Sequence, residues 1–268
     1  MASFSVVTNV AANNAQANLY STNIGLRSAL TRVSSGFRIN SSGDDAAGLA
    51  VANGYRSTVA ILNQGVRNAN DGLSDLQIKD GALDNVSKLL DRLGTLATQA
   101  ASGQTTSTSR TTLNSEFADV LSEINRESGV AGLTSAQGFS VFVSSNGSNG
   151  VVSGSINAVT TTSLGIGADV LTSQTAAATA VANIANAVTT LGTAQGQVGQ
   201  LQNRLSYAIS LAQSQIVNNK AAESRIRDAN IAEESANLTR FSILNQSGIA
   251  ALAQANGQTS AVLSLLRG

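Results

Sequence analysis

Apolar and small residues recur at helical spacing along the first part of the chain. The steps between them are three, four or seven residues, so they share one face of an α-helix. The stretches SSG at 34–36 and NSSG at 40–43 then break the pattern. The stripe consists of Ala12, Ala15, Leu19, Leu26, Leu30, Val33 and Phe37. It predicts a weakly amphipathic N-terminal helix.

Two longer stripes follow in the body of the chain. The first runs from Val59 to Ala100 with a three-four alternation, interrupted only at Asp80, and predicts about 60 Å of helix. The second runs from Val181 to Ala208 and continues weakly towards Ile226. Between them, Leu113, Phe117, Val120 and Ile124 predict a shorter helix.

The end of the chain carries another weak stripe. Its members on one face are Ile231, Leu238, Leu252 and Leu266, with Phe241, Ala255 and Val262 beside them. Polar or small residues interrupt this seam at Glu234, Asn245, Gly248 and Thr259. The pattern predicts a C-terminal amphipathic helix.

The middle of the chain, residues 128–175, is rich in Gly, Ser and Thr. The segment FSVFVSSNGSNGVVSGSI at 139–156 alternates around a turn-rich centre, which is typical of a β-hairpin. A flexible exposed loop is the alternative interpretation of the same composition.

The order of elements is therefore symmetric: weak helix, long helix, hairpin, long helix, weak helix. Because long helices must pair to bury their stripes, we expect an elongated, mainly α antiparallel coiled-coil bundle with a small β-hairpin in the middle. The terminal helices have little to bury against within one subunit. They are expected to be unstable alone and to require partners.

Composition excludes several kinds of chemistry. The 268-residue chain contains no His, Cys, Trp or Pro. It therefore lacks the usual general base near neutral pH, a thiolate nucleophile and the side chains of a typical zinc site. We expect no enzyme and no cofactor.

Charge and hydropathy limit the kinds of partner that the chain is expected to bind. The formal net charge is zero, 12% of residues are charged, and no basic stripe is present. We expect neither nucleic-acid binding nor a membrane span. The N-terminus has no basic region followed by an apolar run, so a cleaved secretory signal is not expected.

Adjacent carboxylates at Asp44 and Asp45 have two interpretations. A metal site or an acid–base pair would need further ligands, and no acidic cluster follows at suitable spacing. The start of a helix is favoured instead, because carboxylates stabilise free N–H groups there.

Three long stretches of the chain and its end carry distinctive motifs. They are RVSSGFRINSSGDDAAGLAVANGYRS at 32–57, NQGVRNANDGLSDLQIKDGALDNVSKLLDRLGTLATQA at 63–100 and SRIRDANIAEESANLTRFSILNQSGIAALAQAN at 224–256, followed by VLSLLR at 262–267. These motifs resemble those of bacterial flagellins. The resemblance covers about residues 1–135 and 160–268. Only the central hairpin region lacks a match.

The resemblance implies a structural subunit that polymerises into the extracellular flagellar filament used for motility. It implies export in the unfolded state by the flagellar type III system. Its expected partners are further copies of the chain, the filament cap, hook-junction proteins and a cytosolic chaperone at the C-terminal helix. By the match, residues 1–45 and 227–268 form an inner-core coiled coil, and residues 46–226 form an outer core.

The resemblance also assigns roles to individual residues. The assembly stripe of the inner core would be Leu19, Leu26, Leu30, Val33, Phe37, Leu238, Phe241, Leu252, Val262 and Leu266; the alternative is that these residues form ordinary core within one subunit. Arg32, Arg38, Asp44 and Asp45 would belong to the inter-domain connector, with the arginines reaching a neighbouring subunit. Arg92, Leu96 and Glu116 match residues recognised by the host flagellin-sensing Toll-like receptor. The alternative is that Arg92 and Glu116 are solvated charges on the filament surface or at subunit contacts.

Other functions remain open at this point. A hook–filament junction protein belongs to the same machinery, but SSGFRINSSGDDAAG and the terminal SLLR argue against it. A secreted adhesin or immune ligand would depend on the 139–156 hairpin. A carboxylate-dependent enzyme on a helical bundle is disfavoured by the missing His and the scattered acids.

Overall fold

The structure, a computed structural model, describes residues 8–144 and 147–267. At residue 148 and over 258–267 it describes the backbone alone. The described residues form five α-helices and one two-stranded sheet. In chain order these are α1 (Val10–Ser35), α2 (Ala46–Ala101), α3 (Ser107–Val130), β1 (Gln137–Phe142), β2 (Val151–Ile156), α4 (Gln174–Arg227) and α5 (Ile231–Arg267), with a short 3-10 turn at Gly147–Gly150. The predicted mainly α fold with a central hairpin is confirmed.

One member of the predicted N-terminal stripe lies outside the helix. Helix α1 ends at Ser35, and Gly36 adopts the left-handed conformation with φ 75°. The Gly36 N–H donates to the Arg32 carbonyl at 2.9 Å, which terminates the helix. Phe37 then forms an isolated antiparallel bridge with Asp228. The prediction that Phe37 shares the helical face was therefore wrong, because glycine turns the chain before it.

The chain divides into two compact units. Unit 1 comprises 1–57 and 219–268, and unit 2 comprises 58–218. Both boundaries fall inside helices, within α2 and α4. The domain limits implied by the resemblance lie at the start of α2 (45/46) and one residue before the end of α4 (226/227). They stay a prediction.

Unit 2 contains the large apolar core. Helix α2 contributes a continuous row of fully buried leucines, which includes Leu76, Leu83, Leu90 and Leu93. The second stripe on α4 faces the same cluster, with Leu191, Val198, Leu201 and Leu205 among its buried members. Helix α3 adds Phe117 and Ile124. The long stripes read from the sequence therefore meet in one core, as expected for paired amphipathic helices.

The hairpin is an antiparallel pair with a defined register, from Gln137 opposite Ile156 to Phe142 opposite Val151. It lies close to α2 because glycines face it. An ideal Cβ at Gly65 would be 1.8 Å from the Val143 carbonyl oxygen, and one at Gly72 would be 2.8 Å from Val141 Cγ2. Val152 and Ile156 of β2 are buried in the apolar cluster of unit 2.

Side-chain hydrogen bonds hold the segment between β2 and α4. The Asn125 carboxamide oxygen accepts from the Thr161 N–H at 3.0 Å, and the buried Ser128 hydroxyl contacts the Val159 carbonyl. Asn114 accepts from the Leu171 N–H at 2.7 Å. Helix α3 thus satisfies backbone groups of an irregular segment that would otherwise lack partners.

Across the described part of the chain, none of the helices has the length and apolar character needed to cross a bilayer.

Candidate functional site: the paired terminal helices and their linkers

Helices α1 and α5 pack against each other in unit 1. Six residues of the predicted assembly stripe are half-buried in this pair: Leu19, Leu26, Val33, Leu238, Phe241 and Leu252. Their spacings, seven residues on α1 and three and eleven on α5, keep them on one face of each helix, as in a coiled-coil seam. In the described state, these six side chains therefore pack within one subunit.

The polar residues that interrupt the seam have partners across it. Arg32 forms an ion pair with Glu234 at 3.2 Å, and the Asn245 side-chain N–H donates to the Asn23 side-chain oxygen at 2.9 Å. The Asn9 side chain donates to the Ala255 carbonyl at 2.9 Å. In these three pairs, the residue number on the α5 side falls as the residue number on the α1 side rises. The two helices are therefore antiparallel. Each pair matches one register only, because a shift would leave half-buried polar groups unpaired.

Two glycines allow close approach within the seam. An ideal Cβ at Gly25 would be 2.6 Å from the ring of Phe241. An ideal Cβ at Gly248 would be 3.1 Å from Leu19 Cδ1. Gly248 interrupted the apolar pattern in the sequence. In the structure it is the position against which Leu19 packs.

The outer faces of the same helices remain uncovered by the chain. On α1, Tyr20 is 69% and Ile24 is 54% exposed. On α5, Ile243 is 61% and Ile249 is 55% exposed. The exposed set on the two helices also includes Val10, Leu30, Ile231 and Leu244. Such a concentration of uncovered apolar side chains is typical of an interaction surface.

Leu30 is the exposed member of the predicted stripe on α1. It is 56% exposed, whereas its neighbour Ala29 is 3% exposed and points into the pair. By its spacing Leu30 still shares the helical face of Leu19 and Leu26, but its side chain is not covered within the chain. Its role in the assembly stripe stays a prediction. The side chains of Val262 and Leu266 lie outside the described residues.

Internal burial along the terminal helices is slight. Ala29 is the one fully buried side chain of α1. In α5, none of the side chains from 231 to 257 is fully buried. The contrast with the core of unit 2 indicates that the terminal pair is the less stable part of the chain.

Residues 36–45 link α1 to α2, and residues 228–230 link α4 to α5. These two linkers pair with each other in unit 1. The Arg38 N–H donates to the Arg227 carbonyl at 2.7 Å, and the Ala229 N–H donates to the Gly36 carbonyl at 2.9 Å. The Arg227 guanidinium lies 4.1 Å from the centre of the Phe37 ring. These contacts hold the two linkers side by side as a short paired segment of the same chain.

Arg32 and Arg38 therefore have partners within the chain. Arg32 pairs with Glu234, and the Arg38 guanidinium donates to the Ile226 carbonyl at 2.7 Å. The expectation that they reach a neighbouring subunit stays a prediction, and it would require these bonds to be exchanged.

The adjacent aspartates stabilise two different pieces of backbone. Asp45 lies directly before α2, and its Oδ1 accepts from the Gly48 N–H at 2.8 Å, as expected for a helix N-cap. The Asp44 carboxylate accepts from the N–H groups of Asn40 and Ser41 at 3.1 and 2.9 Å, which closes the loop before the helix. Those backbone N–H groups, Ser41 first, hold the pKa of Asp44 below its usual value.

A metal at the aspartate pair finds no support in the contacts. Both carboxylates are used as backbone acceptors. In residues 8–144 and 147–267, the structure brings together no group of three acidic side chains that could hold a metal ion.

The three residues matched to receptor recognition differ in exposure. Arg92 on α2 and Glu116 on α3 are half-exposed and form an ion pair with each other. Leu96 is only 2% exposed and lies in the core of unit 2. Because α2 directs Leu96 towards the apolar cluster, a receptor would have to reach a buried side chain, and this assignment stays a prediction. Recognition of Arg92 and Glu116 by a receptor stays a prediction.

The architecture is that of a helical structural protein whose terminal helices pair and leave apolar faces uncovered. Comparisons with known proteins identify the family. The family described as "Bacterial flagellin N-terminal helical region" matches residues 6–146, and the "Bacterial flagellin C-terminal helical region" matches residues 181–266.

Full-length relatives agree with this match. A flagellin of Halalkalibacterium halodurans is 35% identical, over 97% of this chain and 98% of that protein. Flagellin FlaB1 of Treponema pallidum is 33% identical over the same shares. On the family matches and these two relatives, the chain belongs to the bacterial flagellin family and is a structural subunit of the flagellar filament.

Among solved structures, the crystal structure of Bacillus cereus flagellin aligns with 25% identity and a TM-score of 0.49, covering 59% of this chain and 94% of that one.

Proposed function

We propose that this chain polymerises into the filament through the outer faces of α1 and α5. The exposed apolar side chains of these helices carry the proposal, with Tyr20, Ile24, Ile243 and Ile249 as the main members. Contact with neighbouring subunits would remove these side chains from water, which supplies the driving force for association.

The terminal helices fold fully only when neighbours cover them. Isolated helices are marginal in water, and α1 fully buries one alanine within the chain. Assembly therefore completes a core that one subunit provides only in part. The seam contacts, such as Asn23 with Asn245, then select the register in which the two helices come together.

The same incomplete core is suited to export. A chain whose terminal pair is weakly stabilised opens readily, as transport in the unfolded state through the flagellar type III channel requires. A cytosolic chaperone binds α5 before export and shields its apolar positions in a groove. Outside the cell, the chain adds to the filament beneath the cap protein and contacts hook-junction proteins at the base.

A sedimentation experiment tests this proposal. The purified full-length chain is compared with a version that lacks residues 1–45 and 227–268, with electron microscopy and circular dichroism on both. We expect tubular filaments and a gain of helix for the full chain alone. A full chain that stays monomeric with filament seeds, and whose ends already resist proteolysis, would contradict the proposal and favour the junction or adhesin alternative.

A further inference from the structure

An open groove lies between α2 and α4 in unit 2. Its volume is about 670 Å³. Apolar side chains form much of its lining, and the middle of its α2 wall is Gly94, where an ideal Cβ would meet only Ile184 Cγ2, at 3.9 Å. Val188 at its edge is 44% exposed. The lining includes Leu90, Asp91, Gly94, Thr95, Ile184 and Val188.

The groove carries one unbalanced charge. Asp91 is exposed at its rim, and no ion pair of this residue occurs within the described part of the chain. The nearest charged neighbours along α2 are occupied, since Lys88 pairs with Asp84 and Arg92 pairs with Glu116. An occupant with apolar side chains and a cationic group would fit this groove.

A ridge with that chemistry lies on the same helix α4. Tyr207 is 77% exposed and Leu211 is 61% exposed. With Arg204 they occupy one side of the helix, at spacings of three and four residues. The Arg204 guanidinium donates to the Ser153 carbonyl at 2.7 Å and forms no ion pair within the described residues. We call Arg204, Tyr207 and Leu211 the α4 ridge.

The ridge cannot enter the groove of its own chain. Ile184 and Leu211 are 27 positions apart on one helix, which corresponds to about 40 Å at 1.5 Å per residue. A second copy of the chain can bring its ridge to the groove. A patch that fits a different patch on an identical molecule makes a heterologous contact, and such contacts generate open helical polymers.

We propose that the α2–α4 groove of one subunit receives the α4 ridge of a second copy, with Arg204 of the second copy facing Asp91. The inference rests on the proposed polymerisation and names a surface for it in unit 2, separate from the terminal helices. Tyr207 and Leu211 fill the apolar part of the groove, and the opposite charges fix the direction of the contact.

Cysteine cross-linking in filaments tests the contact directly, because the natural chain contains no cysteine. Thr95→Cys places a thiol in the groove, and Ser214→Cys places one beside the ridge on exposed α4 surface. A short bis-maleimide is added to filaments of the double variant, of each single variant and of a one-to-one mixture of the two single variants. We expect a ladder of covalent multimers from the double variant, dimers from the mixture and monomers from each single variant.

Three outcomes would overturn the inference. Filaments that form without any cross-link would reject the contact and leave the proposed function intact. Cross-linking of either single variant to itself would indicate a symmetric contact instead. A wild-type chain that forms no filament would reject both the proposed function and this inference.

A steric variant gives an independent result. Gly94→Leu fills the groove, and Gly81→Leu adds the same side chain on α2 where nothing lies within 4 Å of the new Cβ. We expect Gly94→Leu to raise the critical concentration for assembly by about tenfold or more and Gly81→Leu to change it by less than about twofold. Equal critical concentrations for the two variants would overturn the inference.

A charge variant tests the role of Asp91 at the rim of the groove. Asp91→Lys should raise the critical concentration and weaken its dependence on salt, whereas Asp119→Lys makes the same charge change on exposed α3 surface and should alter neither. Equal effects of the two variants would overturn the pairing of Asp91 with Arg204.

Discussion

At the scale of single residues, small and polar side chains decide how α1 and α5 meet. Gly25 leaves room for the ring of Phe241, and Gly248 leaves room for Leu19. Asn23 and Asn245 satisfy each other at the centre of the pair. Substitution at these positions therefore changes the geometry of the pair more than substitution of an exposed residue does.

Gly25→Leu should weaken the terminal pair. Its β-carbon would overlap the Phe241 ring, and relief requires the ring to move. We expect the free energy of local opening of α1, measured by amide hydrogen exchange, to fall by about 1–3 kcal/mol. Gly81→Leu in unit 2 is the control and should leave α1 exchange unchanged. Identical α1 protection in both variants would show that the close approach does not matter.

Asp44 should make unit 1 sensitive to acid. Its folded-state pKa is lowered by the Ser41 and Asn40 N–H groups, so folding favours the ionised form. This stabilisation is complete above the ordinary carboxyl pKa and disappears as the pH falls from about 4 through the lowered value.

Asp44→Asn is therefore expected to be less stable than wild type at pH 7 in urea unfolding of unit 1. The difference between the two chains should narrow as the pH falls below about 4. A difference that stays constant between pH 7 and pH 2 would contradict the assigned role of the carboxylate.

Individual positions were also where sequence interpretation failed. Periodicity placed Leu30 in the apolar stripe, yet its side chain is exposed. The family resemblance assigned Leu96 to a receptor contact, yet its side chain is buried. A stripe identifies an apolar face but does not show which of two neighbouring residues points inward, because that depends on the partner helix. The linker pairing through Phe37 and Asp228 joins residues 191 positions apart and has no local signal.

At the scale of elements, glycine positions on α2 allow the hairpin to pack closely against this helix. Alternation and turn residues predicted the hairpin itself, and the register from Gln137 opposite Ile156 confirms it. Its place on α2 was not predicted, since it depends on Gly65 and Gly72 lying beneath Val143 and Val141. In the helical stripe these glycines had no assigned role.

Gly65→Ala should displace the end of β1. The new β-carbon would lie 1.8 Å from a backbone oxygen of Val143, so no side-chain rotation relieves the overlap. We expect a loss of about 3 kcal/mol or more in the stability of unit 2 by denaturant unfolding. Gly81→Ala, with open space around its Cβ, should instead stabilise by up to about 1 kcal/mol. Equal stabilities would contradict this seating.

At the scale of the whole molecule, the distribution of burial separates a self-sufficient part from a dependent part. Unit 2 contains a continuous apolar core, whereas α1 fully buries only Ala29. The symmetric order of weak and long helices predicted this contrast, and the motifs at 32–57, 63–100 and 224–267 predicted the family. The uncovered faces of α1 and α5 could be identified only from the way the two helices pair in three dimensions.

The most direct measurement of the central claim is assembly of a chain altered only on the outer faces. Ile24→Ser with Ile243→Ser removes two exposed apolar side chains and leaves the seam intact, and Ile78→Ser, also at an exposed isoleucine but in unit 2, is the control. We predict that the double variant has the helix content of the free wild-type chain but forms no filaments at concentrations where the control does. Filaments that form equally well in both would contradict the claim that these faces drive assembly.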